Sequence, residues 1–202
     1  METVDLTMPL DEGTPTYPDD PDTEVEDTAT VDDDGYAVKR LAFGSHVGTH
    51  IDAPAHMIEG GRTLDDYPPE SFVGEAVVVD VRGQEVIQTD LSCLAEDTEI
   101  LLFRTGHSEG YGQRYHDGFP VVSEETANEV VGSEIGILGI DSPSPDEPPY
   151  PVHEMLLSNG VLLLENLTNL GAVTGESFRC CALPLKIVDG DGAPCRVAGV
   201  VD

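Results

Sequence analysis

Six short apolar runs set the limits on what this chain can fold into: residues 73–81, 99–103, 135–140, 161–164, 182–188 and 197–201. Each is shorter than an ordinary helix and is bounded by Gly, Pro or Asp, as the buried strands of a mixed sheet are. Two segments read as helices. Ser123 is placed to cap 124–131, with acids in the first turn and Gly132 after the last residue. Pro151 opens a second helix that runs to Asn159 and stops at Gly160, with proline inside the start and glycine past the end. A further helical turn is expected around 90–95. Between these lie irregular stretches at 11–34, 57–72 and 104–120, and loops of that length in a compact domain usually carry function. No internal repeat and no Ser/Gly linker divides the 202 residues. The expected class is α/β: a single domain with a β-rich mixed-sheet core and flanking helices.

The chain carries 40 Asp and Glu against 9 Lys and Arg, a formal net charge of −31. DNA, RNA and anionic lipid surfaces would repel such a polyanion, so neither a nucleic-acid nor a membrane partner is expected. Hydrophobic residues still make up 39 % of the chain, in discrete clusters, which favours a globular chain over a disordered one. The acids are spread along the whole length, and lysine occurs only as Lys39 and Lys186. That pattern fits a halophilic protein: in roughly molar salt the screening length falls to about 3 Å and the self-repulsion fades. Cys93, Cys180, Cys181 and Cys195 show no C-x-x-C spacing and read as buried reduced thiols. The opening METVDLTMPL has no basic or apolar leader, and no 18-residue apolar run occurs, so a soluble, cytoplasmic protein is expected.

Three of the six histidines lie between 46 and 56, in His46-Val47-Gly48-Thr49-His50-Ile51-Asp52-Ala53-Pro54-Ala55-His56. On a helix, His46 and His50 would share a face, but Asp52 would point about 240° away from His46. Gly48 and Pro54 also disfavour a helix. On an extended strand, His46, Gly48, His50 and Asp52 alternate onto one face, with Gly48 leaving room between the imidazoles. Pro54 then ends the ladder and His56 can turn back toward it. Two imidazoles and a carboxylate on one face suit Zn²⁺ or Mn²⁺; the bland alternative is a row of histidines hydrogen-bonded to their neighbours. A second candidate pair is His153, in the first turn of its helix, and Glu165, which ends a buried apolar run. A carboxylate there is costly unless paired or bound to a cation, and basic residues are scarce in this chain.

The 46–56 segment resembles the H-x-G-T-H-x-D-x-P-x-H signature of the cyclase family, which includes bacterial kynurenine formamidase and isatin hydrolase. Asp5-Leu6-Thr7, Pro15-Thr16-Tyr17-Pro18, Arg104-Thr105-Gly106, Gly139-Ile140-Asp141-Ser142-Pro143-Ser144 and Leu164-Glu165-Asn166-Leu167 extend the likeness over most of the chain. The resemblance implies one swivelling β/β/α domain over residues 1–202 with a site for two divalent metal ions, Zn or Mn. It implies that His46 and His50 bind one metal and His153 the other, that Asp52 and Glu165 bridge both, and that His56 transfers protons. Tyr17 would lie over the substrate, where kynurenine formamidases carry tryptophan, and Asp19 stands where the family often has glycine. The family is typically a homodimer or homotetramer. No role for Asp141 follows from the sequence, and His107 and His116 read as surface residues.

The leading expectation is therefore a metal-dependent hydrolase of an amide bond, arylformamidase-like, with N-formylkynurenine as the best-known family substrate. Water acidified by the cations would attack the carbonyl, and His56 would pass the proton to the leaving nitrogen. Hydrolysis of a small cyclic amide or lactone, as by isatin hydrolase, is the enzymatic alternative. A metal-binding structural protein would need the same five ligands but would have no use for His56. No G-x-S-x-G elbow supports a serine nucleophile.

Overall fold

The computed structural model describes residues 1–111, 115, 118–175 and 177–201. Twelve strands form among them: β1 (Glu2–Asp5), β2 (Glu24–Ala29), β3 (Val38–Ala42), β4 (His50–Asp52), β5 (Val73–Asp80), β6 (Val86–Ile87), β7 (Ile100–Arg104), β8 (Val121–Val122), β9 (Ile137–Ile140), β10 (Leu162–Glu165), β11 (Ser177–Pro184) and β12 (Gly192–Val201). Three α-helices accompany them: α1 (Val31–Asp34), α2 (Glu124–Val131) and α3 (Pro151–Ser158). The main sheet runs β1-β12-β11-β5-β7-β9-β10-β4, and β4 also pairs with β12. That last pairing turns the sheet into a closed, barrel-like wall. β5, β7, β9 and β10 are mutually parallel, whereas the pairings of β1, β4, β11 and β12 are antiparallel.

Closure explains the apolar runs. Alternate residues of the parallel strands, such as Ile100, Leu102, Ile137, Leu162 and Leu164, fill the interior. The residues between them, including Leu101, Phe103, Leu138, Ile140 and Leu163, pack outward against Ala127 and Val130 of α2 and Leu156 and Leu157 of α3. Strands covered on both faces need continuous apolar sequence. The two helices form as read. Ser123 accepts a bond from the Thr126 amide, and α3 has proline in its first turn. The turn near 90 is a 3-10 helix (Leu91–Cys93) capped by Asp90.

Two expectations fail. The 11–34 stretch is not all loop: β2 and β3 make a separate hairpin, with α1 inside it capped by Thr30. The 182–188 run is displaced: β11 starts at Ser177 and ends at Pro184, leaving Leu185, Ile187 and Val188 exposed. Among the described residues, no helix is long and apolar enough to cross a membrane.

Candidate active site

β4 places His50 and Asp52 on one face, because side chains alternate along a strand. Ile51 between them fills the barrel interior, so the two polar residues face outward from the wall. Glu165 ends β10 directly opposite His50 in the antiparallel register. α3 adds His153 from its first turn. All four are nearly sealed from solvent: His50 is 2 % exposed, Asp52 1 %, His153 5 % and Glu165 5 %.

The spacings fit a cation better than a hydrogen-bond network. His50 Nε2 lies 3.3 Å from Asp52 Oδ1 and 3.3 Å from Glu165 Oε2, and His153 Nε2 lies 3.3 Å from Glu165 Oε1. Ordinary N–H···O bonds are nearer 2.9–3.0 Å. Two ligands on a tetrahedral ion with bonds of about 2.1 Å are about 3.4 Å apart. Glu165 Oε1 is buried and makes no hydrogen bond, with His153 Nε2 its neighbour at 3.3 Å, an expensive position for a carboxylate oxygen unless a cation compensates it. Two overlapping sets, His50/Asp52/Glu165 and His46/Asp52/His56, each gather one ligand atom per residue within 4.8 Å. Asp52 belongs to both. This all-imidazole and carboxylate donor set suits a divalent cation.

A second layer of contacts aims the imidazoles. His50 Nδ1 is 2.8 Å from the Gly48 carbonyl, and His153 Nδ1 is 2.5 Å from Asp146 Oδ1. Each contact turns Nε2 toward the carboxylates as the free lone pair. Asp146 also accepts bonds from the Val152 and His153 amides, so one carboxylate fixes both the start of α3 and its histidine. His46 lies between two carboxylates, with Nδ1 2.6 Å from Asp52 Oδ1 and Nε2 2.8 Å from Asp191 Oδ2. His56 stands on a 3-10 turn (Pro54–His56), its ring centroid 4.0 Å from that of His46.

With protons as the only positive charge at hand, burial disfavours charged imidazoles here, but the carboxylates win for three of them. Burial lowers His153, yet the hydrogen-bonded Asp146 carboxylate and the nearby Glu165 carboxylate lift it to about 10. Burial likewise opposes the charged forms of His46 and His50, but Asp52 raises the first and holds the second well above the usual histidine range. Asp52, pushed up by burial, is pulled well below the carboxylate range by the charges of His46 and His50. His56 goes the other way: burial and the neighbouring imidazoles lower it despite Asp52.

The extended ladder from His46 to Asp52 is not what forms. The strand covers only His50–Asp52, and Gly48 is in the left-handed region at φ 60, beside Met8 and Leu10 and not between imidazoles. His46 reaches the site through this turn. The room for its ring comes from Gly192 on β12, where a Cβ would meet His46 Cε1 at 2.5 Å.

Other residues fall into place around the centre. Asp146 and Asp191 escaped the sequence reading, since neither belongs to a local pattern of ligands. Asp141 is a brace: its carboxylate accepts bonds from the Thr105 amide and hydroxyl, the Gly106 amide and the Ser108 hydroxyl. His107 is half-buried against Tyr111 and Phe119, not a surface residue, while His116 lies outside the described residues. Cys93 is exposed, unlike buried Cys180 and Cys195. Over the site is a cleft of about 210 Å³ walled by Tyr17, Met57, Tyr115, Pro143 and Tyr150. The Tyr17 and Tyr150 hydroxyls are 3.3 Å apart. Asp19, just beyond Tyr17, is at φ 75, a conformation that favours glycine.

Known proteins resemble this chain in sequence and fold. The sequence model of the Cyclase family, described as “Putative cyclase”, matches residues 4–147. A kynurenine formamidase of Salinibacter ruber is 32 % identical over 208 residues, covering 97 % of this chain and 96 % of the relative. The solved structure of isatin hydrolase A from Labrenzia aggregata, bound to benzyl benzoate, superposes with a TM-score of 0.87 at 28 % identity, covering 99 % of this chain and 93 % of the other. A structure described as a potential metal-dependent hydrolase with cyclase activity gives 0.81 at 32 % identity, covering 98 % and 96 %.

Proposed function

This chain belongs to the Cyclase family, and from that premise we infer that it is a metal-dependent amide hydrolase of the arylformamidase type. In this reading His46 and His50 would hold one divalent ion and His153 a second, with Asp52 and Glu165 shared between the two. The observation that supports it best is the set of 3.3 Å spacings around Glu165, together with its unpartnered buried oxygen. Imidazoles and carboxylates without a thiolate accept Zn²⁺ or Mn²⁺ alike.

The cations, when bound, supply a Lewis acid that polarises a carbonyl and acidifies water. The chain's own residues do the rest. Gly48, Asp146 and Asp191 fix the rings that hold the ions. Burial keeps His56 neutral near pH 7, so its imidazole can accept a proton from water and deliver it to the leaving nitrogen. Tyr17 covers a cleft whose aromatic walls suit a small aryl substrate. Relatives named kynurenine formamidase favour an aryl formamide such as N-formylkynurenine. The similarity to isatin hydrolase makes a cyclic amide or lactone the second reading.

The test is turnover by the Zn- or Mn-loaded protein in high KCl with N-formylkynurenine, isatin and simple lactones as alternatives. Hydrolysis of isatin but not of the formamide would replace the first reading with the second. Full metal occupancy with no turnover of any of them would favour a metal-binding structural protein.

The reading also takes residues 1–202 as one hydrolase domain in a salt-adapted homodimer or homotetramer. An isolated two-stranded hairpin is marginal in water, and β2–β3 leaves Val38 and Leu41 exposed. A contact between subunits would support it, which light scattering can test.

A further inference from the structure

Three histidines aimed at the same carboxylates do not offer the same nitrogen. His50 and His153 each commit Nδ1 to an acceptor, the Gly48 carbonyl and Asp146, which leaves Nε2 free. His46 is reversed: its Nε2 faces Asp191 Oδ2 at 2.8 Å, and its Nδ1 faces the shared ligand Asp52 at 2.6 Å. Asp52 is buried.

Asp191 is well placed to dictate this. It lies between Gly190 and Gly192, and its carbonyl accepts the Ala53 amide at 2.9 Å, one residue beyond β4. Gly192 pairs directly with Asp52 across β12 and β4. Ser45 donates to the same Oδ2 at 3.3 Å, which orients the carboxylate. The Asp191 backbone is therefore tied to the strand that carries the ligands, although its side chain is 46 % exposed. Gly192 has no Cβ, which leaves the space that the His46 ring occupies between the two acids.

We propose that Asp191 is a positioning residue that holds His46 as the Nε2–H tautomer, so that His46 meets the cation through Nδ1 while His50 and His153 do so through Nε2. The proposal rests on the metal-centre reading above and adds a specific mixed ligation to it. A neutral imidazole has one donor and one acceptor nitrogen, so an anionic acceptor on Nε2 leaves Nδ1 as the only lone pair.

The test is nuclear magnetic resonance of the intact chain, labelled with ¹⁵N-histidine and loaded with ¹¹³Cd²⁺. Scalar coupling to cadmium identifies the ligating nitrogen of each ring without any assay of activity. Coupling to Nδ1 of His46 and to Nε2 of His50 and His153 is the expected result. Coupling to Nε2 of His46, or a His46 ring with no coupling while the other two couple, would overturn the proposal and leave the metal centre standing. No coupling at any histidine would overturn both.

Asp191→Ala should let His46 populate both tautomers and should weaken cadmium binding by about 10- to 100-fold, the usual effect of losing such a partner. Asp191→Asn retains an acceptor oxygen and should recover most of that loss. A merely structural role for Asp191 predicts that His46 keeps Nδ1 ligation in the alanine variant, and that result would also overturn the proposal.

Discussion

Loading this centre with its divalent cations should expel protons near neutral pH, because His46, His50 and His153 all hold theirs more tightly than a free histidine does. Burial works against the charged rings, but Asp52, Glu165 and Asp146 outweigh it, and His153 is lifted to about 10. Each proton that must leave makes affinity rise tenfold per pH unit, about 1.4 kcal/mol, so three displaced protons set an upper limit of about 4 kcal/mol per pH unit. The stability of the metal-free chain has the opposite sign. A histidine whose folded pKa is raised contributes stability that is complete below its unfolded value of about 6.5 and is lost as pH climbs through the folded value. The metal-free protein should therefore lose stability from neutral toward pH 10, while the loaded protein gains over the lower part of that range. Calorimetric titration with Zn²⁺ in buffers of differing ionisation enthalpy reads the proton count directly, and thermal melts with and without chelator read the opposed slopes. A proton release near zero at neutral pH, with the cation shown to occupy this site, would refute the reasoning.

His56→Ala should keep its metal content and lose about 10²- to 10⁴-fold in kcat; a metal-depleted variant would instead make His56 a ligand, which its grouping with His46 and Asp52 allows. Asp141→Ala leaves the Thr105 and Gly106 amides without their charged acceptor. At about 1.5–3 kcal/mol for each such bond, the loss is about 3–6 kcal/mol, a fall of roughly 6–24 °C in Tm at 2–4 °C per kcal/mol; a fall of only a degree or two in differential scanning calorimetry would discount the brace. Withdrawing KCl should lower Tm, because the screening of a net charge of −31 is lost; an unchanged Tm in dilute buffer would discount the salt adaptation.

What could be read from the sequence follows from how local each signal is. His46, His50, Asp52 and His56 are close in the chain, and His153 and Glu165 stand at a helix start and a strand end, so residue type and position suffice. The contacts of Asp146 and Asp191 depend on turns that bring distant segments together, and no periodicity announces them. Two-sided burial made β7, β9 and β10 plain, and β5 was legible from its apolar run although one face is only partly covered. The β2–β3 hairpin, largely exposed on both faces, has no apolar alternation to betray it. β11 shows half-burial in Ser177-Phe178-Arg179-Cys180, whereas the more apolar stretch after it is an exposed turn, so hydrophobicity alone misplaced the strand. At Gly48, alternation gave the correct face for His50 and Asp52 but the wrong path for His46, because a left-handed residue breaks the strand.

The double pairing of β4 has a consequence for the order in which the chain folds. The strand bearing His50 and Asp52 is held on one side by β10 and on the other by the start of β12, both of which come far later in the sequence. Pairings so distant are slow to form, since the intervening chain must be ordered first. The complete ligand set therefore exists only once the barrel has closed, and an emerging chain cannot trap the cation in its native geometry. An ion that binds the folded form alone would stabilise the whole barrel and not one loop. Closure would then control when a metal can enter, and a bound metal would in turn hold the last seam shut.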